Sequence, residues 1–233
     1  AERLPRGRVV ALDASPAMLD VARRELAELG ERVRFVQARL AVDPLPSGMD
    51  VVFSTATFHW IRDHDALFRS IAAALVAGGR LHAQCGGAGN LARAHARVLE
   101  VAGRPRYAPH LSQLGEPWLF ATPEETRGRL ERAGFVDLDV SLEDAPTPFA
   151  DAASYAEFVG SVVLRPFLAL LPAELHGELV NDVTARAERL RDVEVVALRS
   201  TLHVVELVDL EHPHCAASCS ACVAALASGS LPS

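Results

Sequence analysis

One segment near the start of the chain, residues 8–29, reads as a strand, a tight turn and a helix in unbroken succession. Its first part, Val9 to Leu12, is an apolar run too short for a helix, and such a run is typical of a parallel strand buried on both faces. Ser15 and Pro16 then supply an N-cap and a proline at the first helical position, and Gly30 supplies a stop. This unit restricts the chain to folds that contain a parallel sheet.

Strand and helix patterns continue to alternate over the first hundred residues. The further strand patterns are Val33–Ala38, Met49–Ser54 and Arg80–Cys85, and the helical patterns are Asp63–Val76 and Asn90–Val101. Strands that alternate with helices of this length indicate βαβ units. The pattern therefore predicts an α/β fold with a mainly parallel sheet and flanking helices.

Asp13 ends the first strand, where a carboxylate is placed to accept hydrogen bonds from the ribose hydroxyls of an adenosine cofactor. The glycine-rich turn of such sites lies about 20 residues before this acid, and twelve residues precede Asp13. We therefore expect that turn, and the central first strand that leads into it, to be missing. The alternative is that Asp13 is only an acid at a helix N-terminus, with no ligand.

Composition excludes several classes of protein. The chain has 233 residues, of which 50% are hydrophobic and 23% charged, as in a globular domain, and its net charge of −7 gives no general basic field for nucleic acid. Apolar runs are interrupted by charge and the N-terminus lacks a signal-peptide pattern, so we expect a cytoplasmic protein without a membrane partner, as a monomer. His212, His214, Cys215, Cys219 and Cys222 lack the context of a metal motif, and we expect no metal.

Three segments in order, LDASPAMLDVAR (12–23), VQARL (36–40) and FSTATFHWIRDHDALFRSIAAALVAGGRL (53–81), carry a family resemblance. Together they resemble the class I S-adenosylmethionine-dependent methyltransferases, most closely the trans-aconitate methyltransferase branch, over roughly residues 1 to 190. The resemblance implies a Rossmann-like sheet, a helical cap and S-adenosyl-L-methionine as cofactor.

The resemblance also implies site residues. Cofactor-binding residues would be Asp13, Ala14, Met18, Ala38, Leu40, Ser54 and Thr55. Substrate-binding residues would be His59, Trp60, Tyr155 and Arg165, although His59 and Trp60 as packing residues and Arg165 as a solvated or ion-paired residue are the alternatives. No catalytic residue is assigned, because a carboxylate acceptor is already ionised at neutral pH.

Arg39 departs from the family, which usually has an aspartate there that accepts from the adenine amino group. Arginine can only donate. Either Arg39 turns away and the backbone at Ala38 and Leu40 reads the base, or the affinity for the cofactor is weakened.

The predicted organisation is a cofactor-binding core over residues 1–103, a helical cap with one core strand over 104–190, possible terminal strands over 191–208 and an unstructured tail over 209–233. The core strand is Phe135–Leu142, and the terminal strands are Val193–Leu198 and Leu202–Val208.

The predicted function is methyl transfer from S-adenosylmethionine to a small-molecule acceptor, a carboxylate of the trans-aconitate type. The alternatives are a non-catalytic methyltransferase remnant and a nicotinamide-dependent dehydrogenase, since the latter class also places an acid after its second strand.

Overall fold

The computed structural model describes residues 7–145 and 149–185, together with the backbone of two later strands. The strands are β1 (Arg8–Asp13), β2 (Val33–Gln37), β3 (Met49–Thr55), β4 (Leu75–Gly86), β5 (Glu143–Asp144), β6 (Val196–Ser200) and β7 (Cys222–Leu226). The α-helices are α1 (Pro16–Glu25), α2 (His64–Ala74), α3 (Ala92–Ala102), α4 (Ala108–Leu111), α5 (Pro123–Arg132), α6 (Ala152–Phe158), α7 (Arg165–Leu168) and α8 (His176–Thr184). Short 3₁₀ turns cover Ala27–Arg32, Phe58–Trp60 and Ala173–Leu175, and a π-helical turn covers Val159–Val163.

The described strands form a sheet in the order β2-β1-β7-β3-β4-β6-β5. β1 pairs in parallel with β2, and β3 pairs in parallel with β4, while β5 and β6 are antiparallel. The sheet is therefore mainly parallel, and the predicted α/β class is confirmed.

The place between β1 and β3 is filled by β7, which comes from the far end of the chain. β7 pairs in parallel with β1 over Arg8 to Ala11 and with β3 over Val51 to Ser54. The prediction of an unstructured tail is wrong for the five residues of β7, and the sheet has a strand where we expected one to be missing. The backbone N–H and C=O groups along β1 and β3 need hydrogen-bond partners. β7, an apolar segment without periodicity, supplies them.

The other late segments are described only in part. β6 overlaps the first of the two predicted terminal strands, and the second, Leu202–Val208, lies outside the described residues. The tail residues other than those of β7 also lie outside them, and so do His212, His214, Cys215 and Cys219.

The predicted core strand over Phe135–Leu142 is wrong, because regular strand structure begins only with the two residues of β5. Asp137 has a φ of 51°, a left-handed conformation that breaks an extended run. The carbonyl of Leu138 accepts a hydrogen bond from the Arg127 side chain, with 2.8 Å between Nη1 and O, instead of from a neighbouring strand. Phe135 and Val140 are nevertheless buried in the core, which is why the segment has an apolar pattern.

Two helices begin where the sequence places their caps. The Ser15 hydroxyl accepts a hydrogen bond from the backbone N–H of Met18 over 3.4 Å, and Pro16 opens α1. At α5, Thr122 and Glu125 form a reciprocal capping box, in which each side chain accepts from the backbone N–H of the other residue. These local signals fix both helix starts before any packing.

The chain divides into two compact units. The first, the sheet unit, contains the described residues of Ala1–Gly87, Leu119–Leu142 and Leu198–Ser233, and the second, the helical unit, contains those of Ala88–Trp118 and Glu143–Ala197. This division differs from the predicted boundary at residue 103, because α3 belongs to the helical unit. No helix in the described part of the chain combines the length and apolar character needed to cross a bilayer.

Each face of the parallel sheet in the sheet unit has its own core cluster. The larger cluster includes Val52, Leu81, Phe68 and Leu130, and so joins β3 and β4 to α2 and α5. The smaller cluster joins Val9, Ala11 and Val33 to apolar residues that follow α1. Burial on both faces holds β1 and β3 in place, so that their carboxyl ends emerge at one edge of the sheet.

Candidate active site

Asp13 lies at the carboxyl end of β1, half-buried, with its carboxylate already oriented. Its Oδ1 accepts a hydrogen bond from the backbone N–H of Ser15 over 2.7 Å. Among the described residues, the second carboxylate oxygen has no hydrogen-bond partner. Ala14 follows in an exposed position, and Met18 is half-buried on the first turn of α1.

The end of β2 is tied to the end of β1. The backbone N–H of Ala38 donates to the carbonyl of Asp13 over 3.1 Å, and the Gln37 side chain donates to the carbonyl of Ala14 over 3.3 Å. Ala38 and Leu40 are both buried. The structure therefore brings Asp13, Ala14 and Ala38 together at one edge of the sheet.

Arg39 turns onto Asp43 instead of remaining free beside this edge. Its Nε and Nη2 donate to the two oxygens of Asp43 over 3.0 and 2.8 Å, and its backbone N–H donates to the same carboxylate. These hydrogen bonds hold the pKa of Asp43 down at about 2 and raise that of Arg39. Of the two alternatives for Arg39, this geometry favours the one in which the guanidinium is turned away.

The end of β3 carries a buried polar group without a partner. Ser54 is 1% exposed, and its hydroxyl has no hydrogen-bond partner among the described residues. Beyond it, Ala56 has a φ of 54° and donates its backbone N–H to the carbonyl of Gln84 over 2.7 Å, while the Thr57 hydroxyl donates to the carbonyl of Thr55. Left-handed backbone at a residue other than glycine costs about 1–3 kcal/mol and often marks a functional site.

A 3₁₀ turn over Phe58–Trp60 follows and places His59 against the end of β4. The backbone N–H of Gly86 donates to Nδ1 of His59 over 3.0 Å, and the backbone N–H of Leu119 donates to the His59 carbonyl over 2.9 Å. The His59 ring also contacts the rings of Trp60 and Phe120, with centroids 5.4 and 5.8 Å apart. The ring is thus held in one orientation.

His64 supports the same turn from α2. It is buried, and its Nε2 lies 3.0 Å from the carbonyl of Phe58, to which it donates. Burial lowers the pKa values of both histidines. For His59 the pKa falls to about 4, because of burial first and the neighbouring His64 second. Both rings are therefore neutral at physiological pH.

The other two predicted substrate residues belong to the helical unit. Tyr155 on α6 is buried with its ring 5.4 Å from that of Phe149, and burial raises its pKa. Arg165 opens α7 in an exposed position, and within the described part of the chain its side chain has no ion-pair or hydrogen-bond partner.

Sequence reasoning missed the contacts that position the site. The backbone of Gly86 on His59 and the Asp43 carboxylate on Arg39 have no motif of their own. Asn90 was also missed: it is 7% exposed, and its Oδ1 has no partner among the described residues. The glycine run beginning at Gly86 is the only signal in the sequence for any of these contacts. Within the described residues no cluster of ligating side chains fits a metal ion.

Comparison with known proteins identifies the family. A family described as "Methyltransferase domain" matches residues 1–79. Trans-aconitate 2-methyltransferase of Afipia carboxidovorans is 30% identical over 194 residues, which cover 80% of this chain and 71% of that protein. The chain belongs to the class I S-adenosylmethionine-dependent methyltransferases, in the trans-aconitate methyltransferase branch. Trans-aconitate 2-methyltransferase of Sinorhizobium fredii is 31% identical over 193 residues, and the alignment covers 82% of this chain and 71% of that protein.

Two solved structures share the fold of this chain. Loganic acid methyltransferase with SAH gives a TM-score of 0.67 at 13% identity and covers 89% of this chain and 76% of that one. The YcgJ protein of Bacillus subtilis gives a TM-score of 0.54 at 16% identity and covers 82% of this chain and 80% of that one. At these low sequence identities, the similarity shows a shared fold and nothing about function.

The cofactor of this methyltransferase is S-adenosylmethionine, and two polar groups at this edge of the sheet fit a ligand of that kind. The outer oxygen of Asp13 is an acceptor without a described partner, at the strand end where ribose hydroxyls bind in this architecture. The buried hydroxyl of Ser54 is a second polar group that lacks a described partner, although buried polar groups are normally paired. A ligand with hydroxyl and polar groups at this edge would satisfy both.

Proposed function

We propose that this methyltransferase methylates a carboxylate oxygen of a small polycarboxylate of the trans-aconitate type. The observation that carries the proposal is the similarity to trans-aconitate 2-methyltransferases at about 30% identity over 71% of their length. The His59 ring beside β4 supports it, because its Nδ1 already accepts the backbone N–H of Gly86 and is not available to take a proton from an acceptor.

For the cofactor we assign the residues at the ends of β1, β2 and β3. The free oxygen of Asp13 would accept from the ribose hydroxyls, and Ala14 and Met18 would line the adenine. Backbone at Ala38 and Leu40 would read the base, because the Arg39 side chain is engaged with Asp43. The remaining pair, Ser54 and Thr55, would border the methionine end of the cofactor. The buried Ser54 hydroxyl there has no hydrogen-bond partner among the described residues.

For methyl transfer to a carboxylate, the main contribution expected of the protein is to position the acceptor and the cofactor. S-adenosylmethionine supplies an electrophilic methyl group on its sulfonium when bound, and an ionised carboxylate needs no base to act as nucleophile. Positioning two reactants correctly contributes up to about 7–11 kcal/mol. We therefore assign no catalytic acid or base, and expect the residues of this chain to act by holding the acceptor.

Arg165 is our candidate for the charged partner of the acceptor. A carboxylate that loses water on binding needs donors in its place, and a guanidinium offers a bidentate, permanently charged pair of donors. Arg165 is exposed and without a described partner, so its donors are available. We assign His59, Trp60 and Tyr155 to the acceptor as further donors or apolar contacts.

The test compares methyl transfer to trans-aconitate with transfer to an uncharged phenol and an amine. In Arg165→Ala the KM for trans-aconitate should rise at least about tenfold, while the affinity for S-adenosylhomocysteine stays within about twofold, because the residue touches only the acceptor. Arg69→Ala, which removes an exposed arginine on α2, is the matched control and should leave both constants unchanged. Preference for the uncharged acceptors would overturn the proposed substrate class, and unchanged kinetics in Arg165→Ala would remove Arg165 from the site.

A cytoplasmic location, a monomeric state and the absence of nucleic-acid partners stay predictions from the sequence.

A further inference from the structure

We propose that His59 binds the acceptor as a neutral hydrogen-bond donor through Nε2–H, with its tautomer fixed by the backbone N–H of Gly86, and that it cannot serve as a general base. This inference rests on the proposed function, since it takes a carboxylate as the acceptor. It restricts the substrate class further, to acceptors that arrive already ionised.

The tautomer follows from the hydrogen bond that Nδ1 accepts from Gly86. Gly86 approaches with a backbone N–H, which can only donate, over 3.0 Å. Nδ1 must therefore offer its lone pair, and in a neutral imidazole the proton then resides on Nε2. A backbone donor leaves no choice of assignment, unlike a hydroxyl or an amide side chain, which can reverse its role.

The position of the ring is fixed as firmly as its tautomer. The turn that carries His59 is held by Leu119 on the His59 carbonyl and by His64 on the Phe58 carbonyl. The ring itself contacts the rings of Trp60 and Phe120. Among the described residues Nε2 has no acceptor, so the donor is present and unused.

The groups around His59 keep it neutral. A proton on Nδ1 would point at the Gly86 N–H and replace a hydrogen bond by a repulsive contact. Among the described residues, the titratable groups facing His59 are His64 on α2 and the Cys85 thiol on β4, and neither offers a negative charge. Burial raises the pKa of Cys85 to about 12, and burial and His64 lower that of His59 to about 4.

These facts decide what His59 can do. Nδ1 is occupied and Nε2 carries a proton, so the ring has no lone pair with which to take a proton from a hydroxyl or an amine. The Nε2–H can donate one hydrogen bond to an oxygen that bears a lone pair. The site therefore suits a carboxylate oxygen, and disfavours acceptors that must be deprotonated at this position.

The first experiment reads the tautomer directly, without any acceptor. Protein labelled with ¹⁵N in its histidines is titrated from pH 8 to pH 5.5, and His59→Gln assigns the His59 signals. We expect an Nε2–H tautomer that stays neutral throughout. An Nδ1–H tautomer, or protonation near the ordinary value of about 6.5, would overturn the inference whether or not trans-aconitate is a substrate.

The second experiment separates donor from base by kinetics. His59→Gln keeps an N–H donor and should hold the acceptor KM within about threefold, whereas His59→Leu should raise it at least about tenfold with the affinity for S-adenosylhomocysteine unchanged. kcat/KM should be flat from pH 6 to 8. His110→Gln, on an exposed turn of α4, is the matched control.

A fall in kcat/KM below pH 7 that His59→Gln abolishes would show that His59 acts as a base, and would overturn the inference. Loss of transfer to every carboxylate with the expected ¹⁵N signature would instead overturn the proposed function.

Discussion

At the scale of single residues, the candidate site depends on side chains whose partners are backbone groups. Asp13 is oriented by the N–H of Ser15, and His59 by the N–H of Gly86. In each case one polar atom of the side chain is engaged, and the other has no partner among the described residues. Backbone donors do not change with the side chains around them, so such positions are set by the fold alone.

Asp13 is expected to be the main polar contact to the ribose. Asp13→Ala should weaken S-adenosylhomocysteine binding by about 1.5–3 kcal/mol, the usual value of hydrogen bonds to a charged group, as measured by titration calorimetry. Asp20→Ala, an exposed acid on α1 paired with Arg23, is the control and should bind normally. A loss of less than about threefold in Asp13→Ala would assign Asp13 a purely structural role near the helix N-terminus.

His59 should also make the folded state sensitive to acid. Its pKa in the folded protein is about 4, below the ordinary value of 6.5, so the unfolded chain binds the proton more tightly. The free energy of unfolding should therefore fall as the pH falls from about 6.5 towards 4, by about 2–3 kcal/mol from this group, and should be unaffected above pH 7. Urea unfolding at pH 7.5 and 4.5 measures this difference.

His59→Gln is the informative variant for that prediction. Because glutamine does not titrate, the difference in unfolding free energy between pH 7.5 and pH 4.5 should shrink in the variant. The residual acid sensitivity should come partly from His64, whose pKa is lowered in the same direction by burial. An equal loss of stability in both proteins would contradict the assignment.

At the scale of elements, β7 is the strand on which the sheet depends. It pairs with β1 on one side and β3 on the other, and no direct pairing of β1 with β3 is described. A strand between two others contributes hydrogen bonds to both, so its loss would expose two buried rows of backbone groups. Deleting residues 211–233 should therefore destabilise the protein, contrary to what the sequence of the tail suggests.

A proline in β7 tests this placement. Ala224→Pro removes a backbone N–H in the middle of the strand and should lower the free energy of unfolding by about 3 kcal/mol or more. Ala224→Ser, which retains the N–H, is the control and should have a much smaller effect. Equal stability of both variants in urea would show that β7 does not contribute to the sheet.

At the scale of the whole molecule, the sheet unit with β7 in place is expected to bind the cofactor. A ligand that binds only the folded state stabilises it by about 2.7 kcal/mol at 100 times its dissociation constant. S-adenosylhomocysteine at that concentration should therefore raise the melting temperature by roughly 5–10 °C for a chain of this size. Scanning calorimetry measures the shift.

Asp13→Ala at the same ligand concentration is the control for that shift, and its melting temperature should rise less. A chain that shows no shift with saturating ligand would contradict binding at the sheet edge. A full shift in the wild type and in Asp13→Ala alike would place the ligand elsewhere.

Local sequence signals determined several elements of this protein. The apolar run of β1, the Ser15 and Pro16 start of α1 and the Thr122 capping box act within a few residues, so each can be read from the chain directly. The order of these elements was enough to predict a parallel α/β sheet and, with the motifs quoted above, the methyltransferase family.

Only the tertiary structure decided which distant segments meet. The sequence of Cys222–Leu226 does not identify it as the strand between β1 and β3. Strand pairing across some two hundred residues depends on backbone N–H and C=O groups that need hydrogen-bond partners, and hydrophobic periodicity does not report those groups. Likewise the apolar pattern of Phe135–Leu142 reports burial but not strand pairing. The tautomer of His59 is set by a backbone N–H that lies 27 positions along the chain. Periodicity records which side chains are buried, whereas hydrogen-bond partners over long range are fixed only when the chain folds.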